Sequence, residues 1–185
     1  YVQDNNEYIN NNNLLSIYDF HSDGSGVFYS SRMRPMMNFR PGSRASLLGL
    51  GESAPIGLAA DLHLIDWLET KGFNYDVITD EDLNNEGYEI LKPYSVVITG
   101  AHPEYWTHYM LNSLNKYTSN NGRLMYLGGN GFYWVTSFDK NNPHILEVRR
   151  WHGTETYESN PGEYYHSTSG ELGGIWKHRG LPPQK

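Results

Sequence analysis

The sequence predicts an α/β domain built on a parallel sheet. Two observations carry that prediction. From residue 59 onward the pattern alternates as helix, strand, short helix, strand, helix, strand. Alternation of this kind implies parallel strands joined by right-handed crossovers. In addition, Val96-Val97-Ile98 and Leu124-Met125-Tyr126-Leu127 are apolar runs without alternation, as strands covered on both faces require. Each run ends abruptly in a loop of polar and aromatic residues. The first is followed by Ala101-His102-Pro103-Glu104-Tyr105-Trp106, the second by Gly128-Gly129-Asn130-Gly131-Phe132-Tyr133-Trp134. In an open parallel sheet such loops emerge at the carboxyl ends of the strands, where ligands bind.

Residues 1–13 are polar and Asn-rich and read as a loop or insertion with little capacity to form a core. Leu14 to Phe20 is the first expected strand, meeting a turn-rich stretch at His21 to Gly26. Phe28-Tyr29 reads as strand, and residues 30–57, rich in Gly, Pro, Ser and Arg, read as irregular. Ala59 to Lys71 is the clearest helix, with Leu62, Ile65, Trp67 and Leu68 near one face and Gly72 as its stop. Tyr75 to Thr79 is then a strand. A short acidic helix follows, with Asp80 as N-cap and its end at Leu91-Lys92-Pro93. After the strand at 95–99, Tyr105 to Asn120 is a second helix, with Met110, Leu111, Leu114 and Tyr117 on one side, and Asn121-Gly122 stops it. The strand at 123–127 follows at once. Beyond residue 138 the pattern changes, and Ile145 to Arg150 reads as one more strand. The expected organisation is an Asn-rich segment at 1–13, an α/β core at 14–150 and a Gly- and aromatic-rich extension at 151–185.

Composition bounds the function. A chain of 185 residues can bury a real core. The net charge of −7, with no basic stripe, argues against a nucleic-acid partner. With no cysteine, disulfides, thiolate metal sites and a cysteine nucleophile are all excluded, so any metal would use O or N ligands. No apolar run is long enough to span a bilayer, no secretory leader is visible, and the protein is read as cytoplasmic. The chain opens on Tyr1 rather than Met and closes on polar residues 180–185, which reads as a piece of a longer protein. Fifteen tyrosines are many for this length. Most suit half-exposed strands and loops, but an ionised phenol beside a carboxylate also suits a hard, high-valent metal.

Three residues stand out as candidates for chemistry. Pro103 fixes its own φ and biases His102 toward extended geometry. Side chains two apart then point the same way, so His102 and Glu104 can face one crevice. Glu104 there could ligate a hard cation or act as a base; equally, it could cap a helix starting near Tyr105. Asn130, inside the tightest glycine cluster, could donate amide hydrogens to a carbonyl or a developing oxyanion; equally, it could be a left-handed turn residue. The cluster lacks the spacing of a dinucleotide or phosphate loop. The stretch Tyr18-Asp19-Phe20-His21-Ser22-Asp23 offers oxygen ligands, but loops of this composition are common and an ordinary turn is the preferred reading. No nucleophile elbow and no HExxH helix occurs, and Glu163 with His166 reads as a structured loop.

Several motifs together resemble the large (beta) subunit of N,N-dimethylformamidase. They are Tyr18 to Gly26, Tyr29 to Pro35, Ala60 to Leu68, Tyr75 to Leu83, Thr99 to Trp106 and Met125 to Trp134, continued by Pro161 to His166 and Gly174 to Trp176. The resemblance implies a core like the class I glutamine amidotransferases (flavodoxin-like). It implies an amide hydrolase that splits N,N-dimethylformamide into dimethylamine and formate. It implies a mononuclear ferric iron held by two tyrosines and a glutamate. The glutamate matches Glu104 and one tyrosine matches Tyr18; the other precedes this region. In that family's terms His102 would orient or deprotonate water and Asn130 would hold the carbonyl or oxyanion. A small amide substrate, a small (alpha) subunit and a homo-oligomer are the implied partners. The contrasting function is a non-catalytic domain on the same scaffold that binds a small molecule or carbohydrate through its aromatic residues.

Overall fold

The computed structural model describes residues 12–34, 57–151 and 158–179. The expectations for residues 1–11, for most of the irregular 30–57 stretch and for the polar residues at 180–185 lie outside that range. In chain order the elements are β1 (Tyr29–Ser31), α1 (Leu58–Lys71), α2 (Asp80–Glu86), α3 (Tyr88–Leu91), β2 (Val96–Ile98), β3 (Tyr105–Trp106), α4 (His108–Ser119), β4 (Arg123–Met125), β5 (Trp134–Phe138), β6 (Ile145–Val148) and a 3₁₀ turn at Trp176–Arg179.

The protein is mixed α/β, with more antiparallel pairing than the sequence suggests. The four-stranded sheet has the order β1-β6-β5-β3, and a separate ribbon joins β2 to β4. Among the described residues, parallel pairing is confined to β2 with β4 and β3 with β5; β6 runs antiparallel to both neighbours. The single parallel sheet expected from the alternating pattern is therefore replaced by a mixed sheet plus a parallel ribbon. The reason lies in residues 134–138: Trp134 reads as the end of a loop and no element is expected over 135–138, yet together they form the most buried strand among the described residues. A tight turn sends that strand back as β6: the Asp139 carboxylate accepts the backbone N–H groups of Asn141 and Asn142 at 2.7 and 2.8 Å, an Asx turn.

Helix boundaries follow their caps. Gly72, left-handed at φ 70°, closes α1 with its N–H on the Glu69 carbonyl, while Phe73 N–H reaches Leu68. Thr79, not Asp80, caps α2: its hydroxyl accepts from Asp82 N–H and the Asp82 carboxylate accepts from Thr79 N–H, a complete capping box. Thr107 caps α4 by accepting from Met110 N–H at 3.1 Å. The helix therefore starts at His108, three residues later than expected, and Tyr105–Trp106 become strand.

Two other expected strands are absent. Leu14 to Phe20 is a set of turns with Leu14 and Leu15 half-exposed; only Phe20 bridges, to Gly26. Residues 75–79 form no regular element and pair with no strand among the described residues, and Val77 is 72% exposed. The core has two centres. Leu91, Met110, Leu114, Tyr117, Val135 and Trp176 pack as one, against α3 and α4. Ile17, Trp134, Leu146, Val148 and Ile175 form the other, under the mixed sheet. Trp176 lies in the predicted extension but is fully buried, its indole N–H shared by the Trp106 and Trp134 carbonyls at 3.1 Å each. No described helix is long and apolar enough to cross a membrane.

Candidate active site

The two post-strand loops zip together along their backbones. Gly129 N–H donates to the Ala101 carbonyl at 3.0 Å, Phe132 N–H to Pro103 at 2.8 Å, and the N–H groups of Tyr133 and Trp134 both donate to Glu104, at 3.1 and 2.9 Å. A side chain at Gly128 would strike Pro103 and the carbonyls of Gly100 and Ala101. Glycine is required there by this close approach, not by an unusual φ. Asp61 of α1 ties the first loop down from the other side, accepting from Ala101 N–H at 2.6 Å.

Tyr18 joins this corner from far away in sequence. Its ring follows Ile17, a residue of the second core centre that is 3% exposed. The Tyr18 hydroxyl lies 3.4 Å from Glu104 Oε1 and bonds the Tyr105 hydroxyl; the Trp134 indole N–H donates to it at 3.2 Å. On the outer side, His102 Nδ1 stands 3.6 Å from Glu104 Oε2, with the imidazole 43% and the carboxylate 15% exposed. Three of the four expected site residues, Tyr18, His102 and Glu104, therefore share one corner. Glu104 is not a helix cap, since Thr107 has that role.

Asn130 sits on the adjoining loop, one residue past Gly129, whose Cβ position would lie 3.7 Å from His102 Nε2. It is exposed, has a left-handed φ of 49°, and its amide makes no hydrogen bond among the described residues. The turn reading of Asn130 therefore holds, and its amide is exposed at the surface of the loop. The other polar groups near Tyr18 are occupied locally. Asp19 Oδ2 accepts from Ser16 N–H at 2.7 Å, and Asp23 accepts from the backbone and hydroxyl of Ser25 at 2.9 and 2.7 Å. The Ser25 bonds hold the Asp23 carboxyl below its usual range.

Burial pushes the Glu104 carboxyl above the ordinary glutamate range; His102, Tyr18 and Trp134 oppose that shift without cancelling it. Burial likewise raises the Tyr133 phenol, and the nearby Glu104 charge adds to this. The corner thus holds a carboxylate short of positive compensation. Among the described residues no three His, Asp or Glu side chains converge in a metal-holding cluster. A cation here would therefore draw on phenol oxygen as well as carboxylate, and Tyr18 with Glu104 is the pair that could hold it. Such an all-oxygen set suits a hard cation.

A model of the family described as N,N-dimethylformamidase beta subunit-like, C-terminal, matches residues 4–185. The chain belongs to that family. Two curated relatives, the N,N-dimethylformamidase beta subunits of Paracoccus aminophilus and of an Alcaligenes species, are each 46% identical over 171 residues, or 92% of this chain. The chain spans about a fifth of the length of each, 22%. Two residues of this dimethylformamidase-family corner escaped the sequence reading, Tyr105 and Trp134. Thr107 was the available signal: an N-cap at that position frees Tyr105 and Trp106 from the helix and makes a strand of them.

Proposed function

We propose that this chain carries the substrate-activating corner of an iron-dependent amidohydrolase. The reaction is hydrolysis of the C–N bond of a small formamide-type amide, giving an amine and a carboxylic acid. The observation that carries the reading is the meeting of Tyr18 and Glu104, 86 residues apart, at 3.4 Å between their oxygens, with His102 beside the carboxylate. The names of the two relatives support the substrate class. They also support assembly as a beta subunit, here extended to a small alpha subunit and a homo-oligomer.

In this reading Tyr18 and Glu104 hold ferric iron, and a further tyrosine from outside this chain completes the protein ligands. When bound, the ion supplies Lewis acidity toward the amide carbonyl and toward water. The chain's own groups do the rest. His102, partly open to solvent, takes the proton from the attacking water and returns it to the departing nitrogen. Asn130 directs its amide hydrogens at the carbonyl oxygen as negative charge gathers there. The Gly128–Gly129 turn brings that donor to the rim without a side chain in the way.

The test is metal analysis of the full-length protein with a search for a tyrosinate-to-iron charge-transfer band. Glu104→Ala is expected to lose both iron and band. Asn130→Ala should keep both and lower kcat by roughly 10²–10³-fold. A colourless, iron-free protein that still hydrolyses amides overturns the iron chemistry. An iron-free protein without hydrolytic activity favours a non-catalytic domain that binds a small molecule or carbohydrate.

A further inference from the structure

We propose that Trp134 and Tyr105 are positioning residues, a cross-strand clamp that fixes the Tyr18 phenol oxygen against Glu104. Their role as supports of a metal ligand rests on the function proposed above; the clamp itself rests on geometry alone.

Tyr105 and Trp134 are register partners in the parallel pair β3–β5. From that one position, Tyr105 offers a hydroxyl and Trp134 an indole N–H to the same Tyr18 oxygen. The residue before Tyr105, Glu104, sits 3.4 Å from it. A tyrosine oxygen has one donor and two acceptor positions. An indole N–H can only donate, so Trp134 occupies one acceptor position, and Tyr105 and Glu104 take up the remainder. Trp134 and Tyr105 thus hold the Tyr18 oxygen from one corner of one sheet, while its hydroxyl proton points to Glu104, the position that an ionised phenol would give up to a cation.

Tyr18 needs such a clamp because its own segment supplies no ladder. Residues 13–19 are turn and irregular chain, and Leu14 and Leu15 before it are half-exposed. The clamp is rigid by contrast. Trp134 is 2% exposed, packs among Ile17, Leu146, Val148 and Ile175, and meets the Tyr133 ring edge-on at 5.0 Å. Supports of this kind, on rigid elements behind a ligand, typically change metal affinity or activity by 10–100-fold when removed.

The test has a metal-free arm and a ferric arm, both on the full-length protein. In protein labelled with ¹⁵N-tryptophan, the Trp134 indole N–H resonance is assigned by its loss in Trp134→Phe. Without metal, Tyr18→Phe should move that resonance upfield and speed its solvent exchange; an unmoved resonance overturns the clamp whatever the metal does. With ferric iron, two variants are compared: Tyr105→Phe, and the shape-matched benzothienylalanine in place of Trp134, which deletes only the N–H. Each should weaken ferric affinity about 10–100-fold and shift the phenolate band, with the melting temperature of Tyr105→Phe unchanged. Unchanged affinity and band in both variants overturns the proposal. A wild-type protein with no ferric band but a Trp134 resonance that responds to Tyr18→Phe confirms the clamp and refutes the iron reading, so the two failures are separable.

Discussion

Two glutamates lie within the same mixed sheet and its loops, and burial acts on them in opposite company. Glu147, at the centre of β6, has no exposed side-chain surface, yet its carboxyl is held below the ordinary range. Burial alone would raise it. Oε2 accepts from the Thr168 hydroxyl at 2.7 Å and its N–H at 2.9 Å, and Oε1 accepts from Ser167 N–H at 2.9 Å and Arg149 Nε at 2.6 Å. Those donors overcome the desolvation. Glu104 is less buried and has the higher proton affinity, because its neighbours are a more distant imidazole, a phenol and one indole N–H. A saturated carboxylate is a structural rivet. A carboxylate left short of donors is the one with capacity for a ligand.

The largest effect should follow from breaking the saturated site. Glu147→Ala removes the only carboxylate paired with Arg149 among the described residues, leaving its guanidinium over the Phe28 ring with the Tyr29 hydroxyl and the Glu163 carbonyl, and takes the acceptor from the Ser167 and Thr168 N–H groups. Loss of one partner from a buried hydrogen-bonded charge costs roughly 3–5 kcal/mol. A denaturant titration at neutral pH should show that loss as a lower midpoint with an unchanged slope. A loss below about 1 kcal/mol would erase the distinction between the two glutamates.

The surroundings of Glu147 also contain an acid-sensitive group. His166 is 2% exposed, its Nδ1 bonds Ser137 Oγ at 2.7 Å, and its Nε2 has no partner among the described residues. Burial is the main cause that lowers its pKa from 6.5 to about 4; the Glu147 charge opposes this, and Arg149 and Arg179 assist. Because the folded value lies below the unfolded one, the unfolded chain takes up the proton first. Stability is therefore intact above pH 6.5 and falls as the pH drops from 6.5 toward about 4, by about 3 kcal/mol through proton linkage. His166→Gln, neutral throughout, should flatten that limb of a stability–pH curve. A curve that keeps its slope in the variant places the acid sensitivity elsewhere.

Much of the candidate site was legible in the sequence, and the sheet around it was not. The apolar runs at 96–98 and 124–125 do mark β2 and β4, but as a two-stranded ribbon with Val96 and Met125 exposed rather than as central strands covered on both faces. Their loops carry His102, Glu104 and Asn130 in plain order. The mixed sheet was hidden because the Gly128–Gly131 cluster masks the start of β5, and because Tyr105–Trp106 look like the first turn of α4 until Thr107 is recognised as its cap. Glu147 was read only as one residue of a strand, since its donors come from Ser167 and Thr168, 20 and 21 residues on. Local pattern reports the groups an element carries; it does not report who meets them across the fold.

The smallest effect is the most discriminating, because only its sign matters. Glu104→Gln keeps the shape of the side chain and removes its charge. Since the folded pKa of Glu104 is raised above the unfolded 4.5, the metal-free folded state holds this proton more tightly than the unfolded chain. The wild-type protein therefore loses stability as pH rises from 4.5 through the folded value, and the whole penalty is present above it. The glutamine variant escapes that penalty. Metal-free Glu104→Gln should then be more stable than wild type at neutral pH, by on the order of 0.5–2 kcal/mol, as when a strained functional group is relieved. The advantage should vanish below pH 4.5. Paired melts of the two metal-free proteins across pH decide it. A glutamine variant that is less stable at neutral pH would make Glu104 a second rivet like Glu147, and the corner would lose its claim to be built for a ligand.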